Sequence, residues 1–196
     1  MRIGYACINT GIGCTSNSTF RLKSYSKERL VSTVKHNIEC LDNILRWNLD
    51  HGILFFRIGS QLVPFASHPV CRTDWTKIFK KELENTGKFV RTNKIRITMH
   101  PDQFVVLNSK NPEIVRRSIA ELEYHVRLLD AMKLKKDAKV VLHVGGVYGD
   151  KESAMSRFIS NYIKLPKKIK DRLVIENDHR SYSLKDCLEL HSVLGV

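Results

Sequence analysis

The chain has 196 residues, of which 42% are hydrophobic and 27% are charged, and this composition excludes a disordered or fibrous protein. Its 33 lysines and arginines outnumber its 20 acidic residues, so the formal net charge of +13 favours a polyanion, such as nucleic acid, as a partner. No apolar run approaches the roughly 18 residues of a transmembrane helix, and the amino terminus lacks the apolar region of a signal peptide.

Short apolar runs alternate with longer amphipathic segments along the chain. Most of these runs are apolar on both faces, as expected of parallel strands buried between two layers. In chain order, the predicted strand–helix pairs are 3–8 with 26–51, 53–58 with 74–89, 95–99 with 112–132, 140–144 with 151–163, and 173–176 with 184–194.

Spacing and end signals support the helical segments. The third helix begins at Asn111-Pro112, a cap residue followed by a proline, and the last helix ends before Gly195. In the first helix, the apolar residues that recur at three- and four-residue intervals are Leu30, Val34, Ile38, Leu41 and Leu45.

Five β-α pairs in succession predict an α/β protein with a parallel sheet and right-handed crossovers. A doubly wound open sheet and a βα barrel both fit this alternation. The pair Gly11 and Gly13 follows the first strand without the third glycine of a dinucleotide-binding motif, so we predict no nucleotide cofactor. Eight units of this spacing, as in a closed barrel, need roughly 300 residues, so we expect the chain to be part of a longer protein.

Two histidines and a carboxylate follow three successive predicted strands. His100 comes directly after the third strand, His143 lies at the end of the fourth, and Glu176 ends the fifth. Ligands of α/β proteins gather at the carboxyl ends of the strands, and two imidazoles with one carboxylate are typical of a metal site with an open position. His68, after the second strand, is a further candidate. A metal-free alternative is a histidine general base with a carboxylate partner, as in a sugar isomerase or aldolase.

The dipeptide Gln103-Phe104 lies in the loop that follows His100. A polar residue beside an aromatic one at a loop tip can enter a base stack, because the aromatic ring replaces lost stacking. The alternative is that Phe104 packs under its own loop.

The basic residues divide between the two edges of the predicted sheet. Those before the third, fourth and fifth strands lie at helix carboxyl ends, where we expect them to complement the helix dipoles. The cations expected on the ligand edge are Arg57, Arg72, Lys110, Lys151 and Arg180.

The five cysteines are Cys7, Cys14, Cys40, Cys71 and Cys187. Their number is odd and no two form a CxxC pair, so we predict reduced thiols in a cytosolic or nuclear protein rather than a disulfide framework or a zinc site.

Several short stretches, in their order and spacing, resemble the ultraviolet damage endonuclease family. They cover residues 3 to about 180. The stretches are IGYAC at 3–7 with Asn9, FFRIGS at 55–60, SHP at 67–69, HPDQF at 100–104, LHVGG at 142–146 and END at 176–178.

The resemblance implies a TIM barrel related to type-four apurinic endonucleases and sugar isomerases, with about five of its eight βα units in this chain and one domain over residues 1–196. It implies a metal-dependent endonuclease that nicks duplex DNA on the 5′ side of cyclobutane pyrimidine dimers and 6-4 photoproducts. It also implies up to three divalent metals, often manganese, with further ligands on later strands that this chain lacks. Such a repair enzyme would be monomeric when complete, away from membranes, and located in the cytoplasm with the nucleoid of a prokaryote or in the nucleus of a eukaryote.

The same resemblance assigns roles to individual residues. His100, His143 and Glu176 match metal ligands, and Glu176 would bridge two metals and act in catalysis. His68 would act beside a metal or the scissile phosphate. The residues expected to contact DNA are Tyr5 and Asn9, at the damaged nucleotides, and Gln103 and Phe104, the probing pair. The functional alternatives are a non-catalytic fragment that binds damaged DNA and an apurinic-endonuclease-like or isomerase-like metal barrel.

Overall fold

A computed structural model describes residues 2–196 of the chain. It contains one parallel β-sheet, whose strands follow one another in the sheet in the same order as along the chain. Such an order results when each strand is followed by a helix that returns the chain to the same edge of the sheet. In the described residues the strands are β1 (Gly4–Ala6), β2 (Phe55–Ile58), β3 (Arg96–Met99), β4 (Lys139–His143) and β5 (Leu173–Glu176).

Helices connect the strands. No helix within residues 2–196 is long and apolar enough to cross a membrane. Short 3₁₀ helices cover Leu22–Ser24 and Ser60–Leu62. The α-helices are α1 (Lys27–Asp50), α2 (Trp75–Ile78), α3 (Lys80–Thr92), α4 (Pro112–Ala131), α5 (Lys151–Ile163), α6 (Lys167–Lys170) and α7 (Leu184–Leu194).

The chain divides into two compact units. The first comprises Met1–His100 with Arg127–Ala138, and the second comprises Pro101–Val126 with Lys139–Val196. Strands β1, β2 and β3 belong to the first unit, and β4 and β5 belong to the second.

The core of the first unit lies between the sheet and α1. Phe56 and Ile58 on β2 are fully buried, as is Leu41 on α1. Asn37 of α1 is also fully buried, and its amide nitrogen donates to the carbonyl oxygen of Ser18 at 2.9 Å while its amide oxygen accepts the Ser18 N–H at 2.9 Å. A buried amide with both groups paired holds the loop that follows β1 against the helix.

The core of the second unit is built in the same way. Val140 and Leu142 of β4 are buried, and so are Phe158 of α5 and Leu190 of α7. Helix α7 begins with a capping box, in which the side chain of Ser183 accepts the backbone N–H of the third residue of the helix. Phe158 and Leu190 therefore lie on the sides of α5 and α7 that face the interior of the unit.

Most predicted elements are confirmed, and the differences have local causes. The bounds of α5, α7 and β5 agree with the sequence prediction. Strand β1 is shorter than predicted because Cys7 adopts a left-handed φ of 63°, which ends the extended backbone. The predicted helix over 74–89 is two helices, because Phe79, with φ −101° and ψ 23°, departs from helical geometry between α2 and α3. The short α6 was not predicted.

The prediction that all cysteines are reduced is wrong. Cys14 and Cys40 form a disulfide, with their Cα atoms 6.0 Å apart, which is within the usual range for such bonds. An odd number of cysteines and the absence of CxxC do not exclude a single pair that the fold brings together. The disulfide joins the loop after β1 to α1, and Cys7, Cys71 and Cys187 remain as thiols.

We expect reduction of the Cys14–Cys40 bond to lower the stability of the chain. Its cysteines are 26 residues apart. Cross-linking a loop of that length lowers the conformational entropy of the unfolded chain, which adds about 3 kcal/mol to the free energy of unfolding. Urea unfolding with and without dithiothreitol measures the difference, and Cys14→Ser should remove the sensitivity to reductant. A thiol assay of the unfolded, unreduced chain that finds all five cysteines free would contradict the disulfide.

Candidate metal centre

His143 and Glu176 lie side by side at the ends of neighbouring strands in the second unit. The parallel register of β4 and β5 pairs the two residues directly. Nε2 of His143 is 3.4 Å from Oε1 of Glu176, and the two side chains are 42% and 33% exposed. In-register parallel strands end at the same edge of a sheet, which is why residues 33 positions apart meet here.

His100 directly follows β3. One ligand atom each from His100, His143 and Glu176 lie within 4.8 Å of one another, so the three residues can hold a metal ion. Two neutral imidazoles and one carboxylate are a donor set suited to first-row divalent metals, and all three side chains are partly exposed, which leaves a path for substrate. The residues therefore fit the metal that the sequence predicts, while the identity of the metal stays a prediction.

The loop after Glu176 is held by a carboxylate. Asp178 accepts backbone N–H groups from Arg180 at 2.6 Å, Ser181 at 2.5 Å and Tyr182 at 3.2 Å. Burial alone would raise the pKa of Asp178, but these three hydrogen bonds and the nearby His143 outweigh burial and lower it. Asp178 is therefore ionised at neutral pH and fixes the segment that follows the metal-ligand candidate.

Asn108 and Tyr182, which the sequence did not predict as site residues, support the loop after His143. Tyr182 is fully buried, and its hydroxyl donates to the carbonyl oxygen of Gly146 at 3.1 Å. The amide nitrogen of Asn108 donates to that same carbonyl at 2.8 Å. Gly145 has a φ of 115°, and a Cβ there would lie 2.4 Å from Oδ1 of Asn108, so glycine is required. Gly145-Gly146 was the only signal of this arrangement in the sequence.

His68 does not belong to the group of ligand residues. It is exposed in the first unit, its Nδ1 accepts the backbone N–H of Val70 at 3.1 Å, and its ring meets the edge of Phe65 at 6.4 Å between centroids. Phe65 has a left-handed φ of 60°, which a phenylalanine rarely adopts. The predicted catalytic role of His68 remains a prediction.

Tyr5 and Asn9 form a hydrogen-bonded chain with α1. The amide nitrogen of Asn9 donates to the Tyr5 hydroxyl at 2.6 Å, and that hydroxyl donates to Oδ1 of Asn48 at 2.6 Å. Asn9 is only 6% exposed, while Tyr5 is half-buried, and burial raises the pKa of the tyrosine. These hydrogen bonds orient Tyr5, and the predicted contacts of both residues with DNA remain predictions.

Phe104 is 78% exposed, so the alternative that it packs under its own loop is wrong. Gln103 beside it is also exposed. An exposed phenylalanine ring at a loop tip is available to contact a partner, because nothing in its own unit covers it. Insertion of the pair into DNA remains a prediction.

Lys151, one of the cations expected on the ligand edge, forms an ion pair within the second unit. Nζ of Lys151 is 2.7 Å from Oδ2 of Asp186. The hydrogen bond from Lys151 holds the pKa of Asp186 at about 2, although partial burial acts in the opposite direction. The pair joins the first residue of α5 to the first turn of α7.

We expect Asp186→Asn to lower the melting temperature at pH 7 by about 2–4 °C, since it removes this ion pair and weakens the capping box. The folded-state pKa of about 2 is below the ordinary aspartate value of about 4. The ion pair therefore stabilises the fold above pH 4, and this stabilisation is lost as the pH falls from about 4 through 2. Thermal unfolding between pH 7 and pH 2 should show a shallower acid limb for Asp186→Asn than for the control Glu189→Gln, an exposed carboxylate on the same helix.

Comparison with known proteins decides the family. The family model described as UV-endonuclease UvdE matches residues 1–196.

The chain belongs to the UvdE family.

Curated relatives of this UvdE-family chain carry matching names. It is 42% identical over 196 residues to a UV DNA damage endonuclease of Clostridium perfringens, covering 100% of this chain and 48% of the relative. It is 37% identical to a putative UV-damage endonuclease of Acanthamoeba polyphaga mimivirus, covering 100% of this chain and 62% of the relative. The chain thus spans about half to three fifths of the length of these relatives.

Solved structures confirm the predicted fold class. The crystal structure of SacUVDE superposes with a TM-score of 0.97 at 47% identity, covering 100% of this chain and 67% of that chain. Endonuclease IV from Thermus thermophilus superposes with a TM-score of 0.54 at 13% identity, over 78% of this chain and 54% of that one. D-psicose 3-epimerase superposes with a TM-score of 0.51 at 14% identity, over 73% of this chain and 48% of that one. The last two likenesses concern the fold alone, and they agree with a TIM-barrel α/β architecture for the UvdE-family chain.

Proposed function

We propose that the protein is a DNA repair endonuclease that nicks duplex DNA on the 5′ side of ultraviolet lesions by metal-dependent phosphodiester hydrolysis. The observation that carries the proposal is the meeting of His100, His143 and Glu176, three metal-ligand types within 4.8 Å, in a chain of the UvdE family. The lesions we assign to it are cyclobutane pyrimidine dimers and 6-4 photoproducts, and its partner is damaged double-stranded DNA in the cytoplasm of a prokaryote or the nucleus of a eukaryote.

The three ligand candidates would hold a divalent metal, and we assign manganese. When bound, such a metal supplies Lewis acidity toward the scissile phosphate and toward water. The side chains of His143 and Glu176 are carried on paired strands, so they need little reorganisation to bind it. In this proposal the Glu176 carboxylate also acts in catalysis, and the exposed imidazole of His68 contacts the scissile phosphate.

Lesion recognition is assigned to the loop tip and to the hydrogen-bonded chain on α1. Damaged bases stack poorly, so less free energy is needed to move them out of the duplex. Gln103 and the exposed ring of Phe104 would fill the space that these bases leave. Tyr5 and Asn9 would contact the damaged nucleotides, with Asn48 holding the tyrosine hydroxyl in place.

The test is nicking of supercoiled plasmid, irradiated or not, with added Mn²⁺. We expect nicks that depend on irradiation and on the metal, from the 196-residue chain or from the complete gene product. Sequencing-gel mapping on a defined dimer substrate should place the break on the 5′ side of the lesion. The proposal is overturned if neither protein nicks irradiated plasmid, or if both bind damaged DNA without cutting it.

A further inference from the structure

A second concave site lies in the first unit, at the end of the sheet away from His100. The cavity has a volume of about 240 Å³ and surrounds the beginning of β3, whereas His100 follows the end of that strand. We call it the basic cavity. Its charged lining residues are Arg2, Arg91, Lys94, Arg96, Lys135 and Asp137, and the rest of its lining is apolar.

The charge of the basic cavity is strongly one-sided. Five of its lining residues are cationic and one, Asp137, is acidic. Within residues 2–196, neither Lys94 nor Arg96 forms a salt bridge with a carboxylate. Cations that converge on a concave apolar floor without matching carboxylates raise the local concentration of anions.

Helix dipoles do not explain all of these cations. Arg91 is near the end of α3, and its guanidinium donates to the carbonyl oxygens of Met132 at 2.7 Å and Lys133 at 2.8 Å, which is a structural role. Arg96 instead begins a strand, and Arg2 precedes one. Neither of these two arginines has a helix end to complement, so helix dipoles do not account for their positions.

Local structure positions two of the cations in the basic cavity. Lys94 has a left-handed φ of 54°, a conformation that favours glycine. Lys94 follows the carboxyl-terminal cap of α3, and the N–H of Ile95 donates to the carbonyl oxygen of Val90 at 3.0 Å, so the left-handed residue ends the helix and leaves the lysine in the lining of the cavity. The guanidinium of Arg96 is 5.6 Å from the centroid of the Phe55 ring, which restricts its orientation.

We propose that the basic cavity binds the phosphate group of a small phosphorylated ligand. Guanidinium groups match phosphate oxygens with paired hydrogen bonds, and the lysine ammonium adds a point charge. The volume of about 240 Å³ is several times that of a water molecule and below that of most drug-sized pockets, so it suits a phosphate or pyrophosphate with a small organic group.

The experiment is calorimetric titration of the 196-residue chain with pyrophosphate, with inorganic phosphate and with a deoxynucleoside monophosphate as further probes. Metal-free buffer keeps the candidate metal centre out of the measurement, because the cavity contains none of its residues. We expect saturable binding that weakens at least tenfold in the double variant Arg2→Gln with Arg96→Gln. Lys94→Gly should weaken binding too, and since it relieves the left-handed backbone it should not destabilise the fold.

Two control variants distinguish binding in the basic cavity from a general attraction of anions to a cationic protein. Asp137→Asn removes the one carboxylate of the lining and should tighten binding. Lys167→Gln with Lys168→Gln removes the same formal charge elsewhere and should leave it unchanged. The proposal is overturned if no probe binds saturably, or if the α6 pair weakens binding as much as the cavity variants. It is also overturned if the cavity variants lower affinity for undamaged duplex DNA by the same factor, since the cations would then serve the DNA backbone.

Discussion

Glu176→Gln is expected to reduce nicking of irradiated plasmid by about 100-fold or more, because it replaces the carboxylate of the candidate metal centre with a neutral amide of the same size. Glu176 is on β5, its side chain is one-third exposed, and its Oε1 lies 3.4 Å from Nε2 of His143. An amide oxygen there is a weaker ligand for a divalent cation than a carboxylate. Nicking rates under saturating DNA measure the loss of catalysis. Electron paramagnetic resonance of added Mn²⁺ measures the loss of metal binding separately.

Two matched variants complete this experiment. His143→Ala should produce a loss of similar size, since it removes the neighbouring ligand on the paired strand. Glu189→Gln changes an exposed carboxylate on α7 in the same unit and should retain the parent rate. If Glu176→Gln folds normally and nicks at the parent rate, the assignment of Glu176 as a ligand and catalytic residue is wrong.

Phe104→Ala is expected to lower the preference for damaged over intact DNA by about tenfold, while leaving stability unchanged. The ring is 78% exposed, so its removal takes little packing from the fold. Stacking of an aromatic side chain on a base contributes about 1–3 kcal/mol, and about 1.4 kcal/mol corresponds to a factor of ten in affinity. The measurement is the ratio of dissociation constants for a duplex with one dimer and for the same duplex without it.

Two further variants test whether stacking of the Phe104 ring causes the preference for damaged DNA. Phe104→Tyr keeps an aromatic ring and should retain the preference. Leu188→Ala truncates another exposed apolar side chain, 57% exposed on α7, and should have no effect on it. An unchanged ratio for Phe104→Ala, alone and combined with Gln103→Ala, would show that the loop tip does not probe the duplex.

Local sequence patterns predicted the elements well where the local signals were strong. Helix α7 has a serine at its start and Gly195 at its end, and Gly195 adopts the left-handed φ of 68° that ends the helix. The metal-ligand candidates were predictable as well, because their sequence positions at strand ends imply a common edge once the strands are parallel.

Contacts between distant residues could not be predicted in the same way. The hydrogen bonds that join Asn108, Gly146 and Tyr182 connect residues up to 74 positions apart, and no periodicity signals them. The Cys14–Cys40 bond likewise depends on how the loop after β1 lies against α1. The exposure of Phe104 was also open from sequence, since an aromatic residue in a loop is compatible with either orientation.

The exposed ring of Phe104 has a consequence for the range of damage that such a protein can detect. A phenyl ring gains free energy from leaving water, and this gain is non-directional and independent of the hydrogen-bonding pattern of its surroundings. In the proposed function, the ring therefore senses how readily a base stack opens and does not distinguish one altered base from another. Lesions of unrelated chemistry, provided that they loosen the helix to the same degree, would be equivalent substrates for one active site.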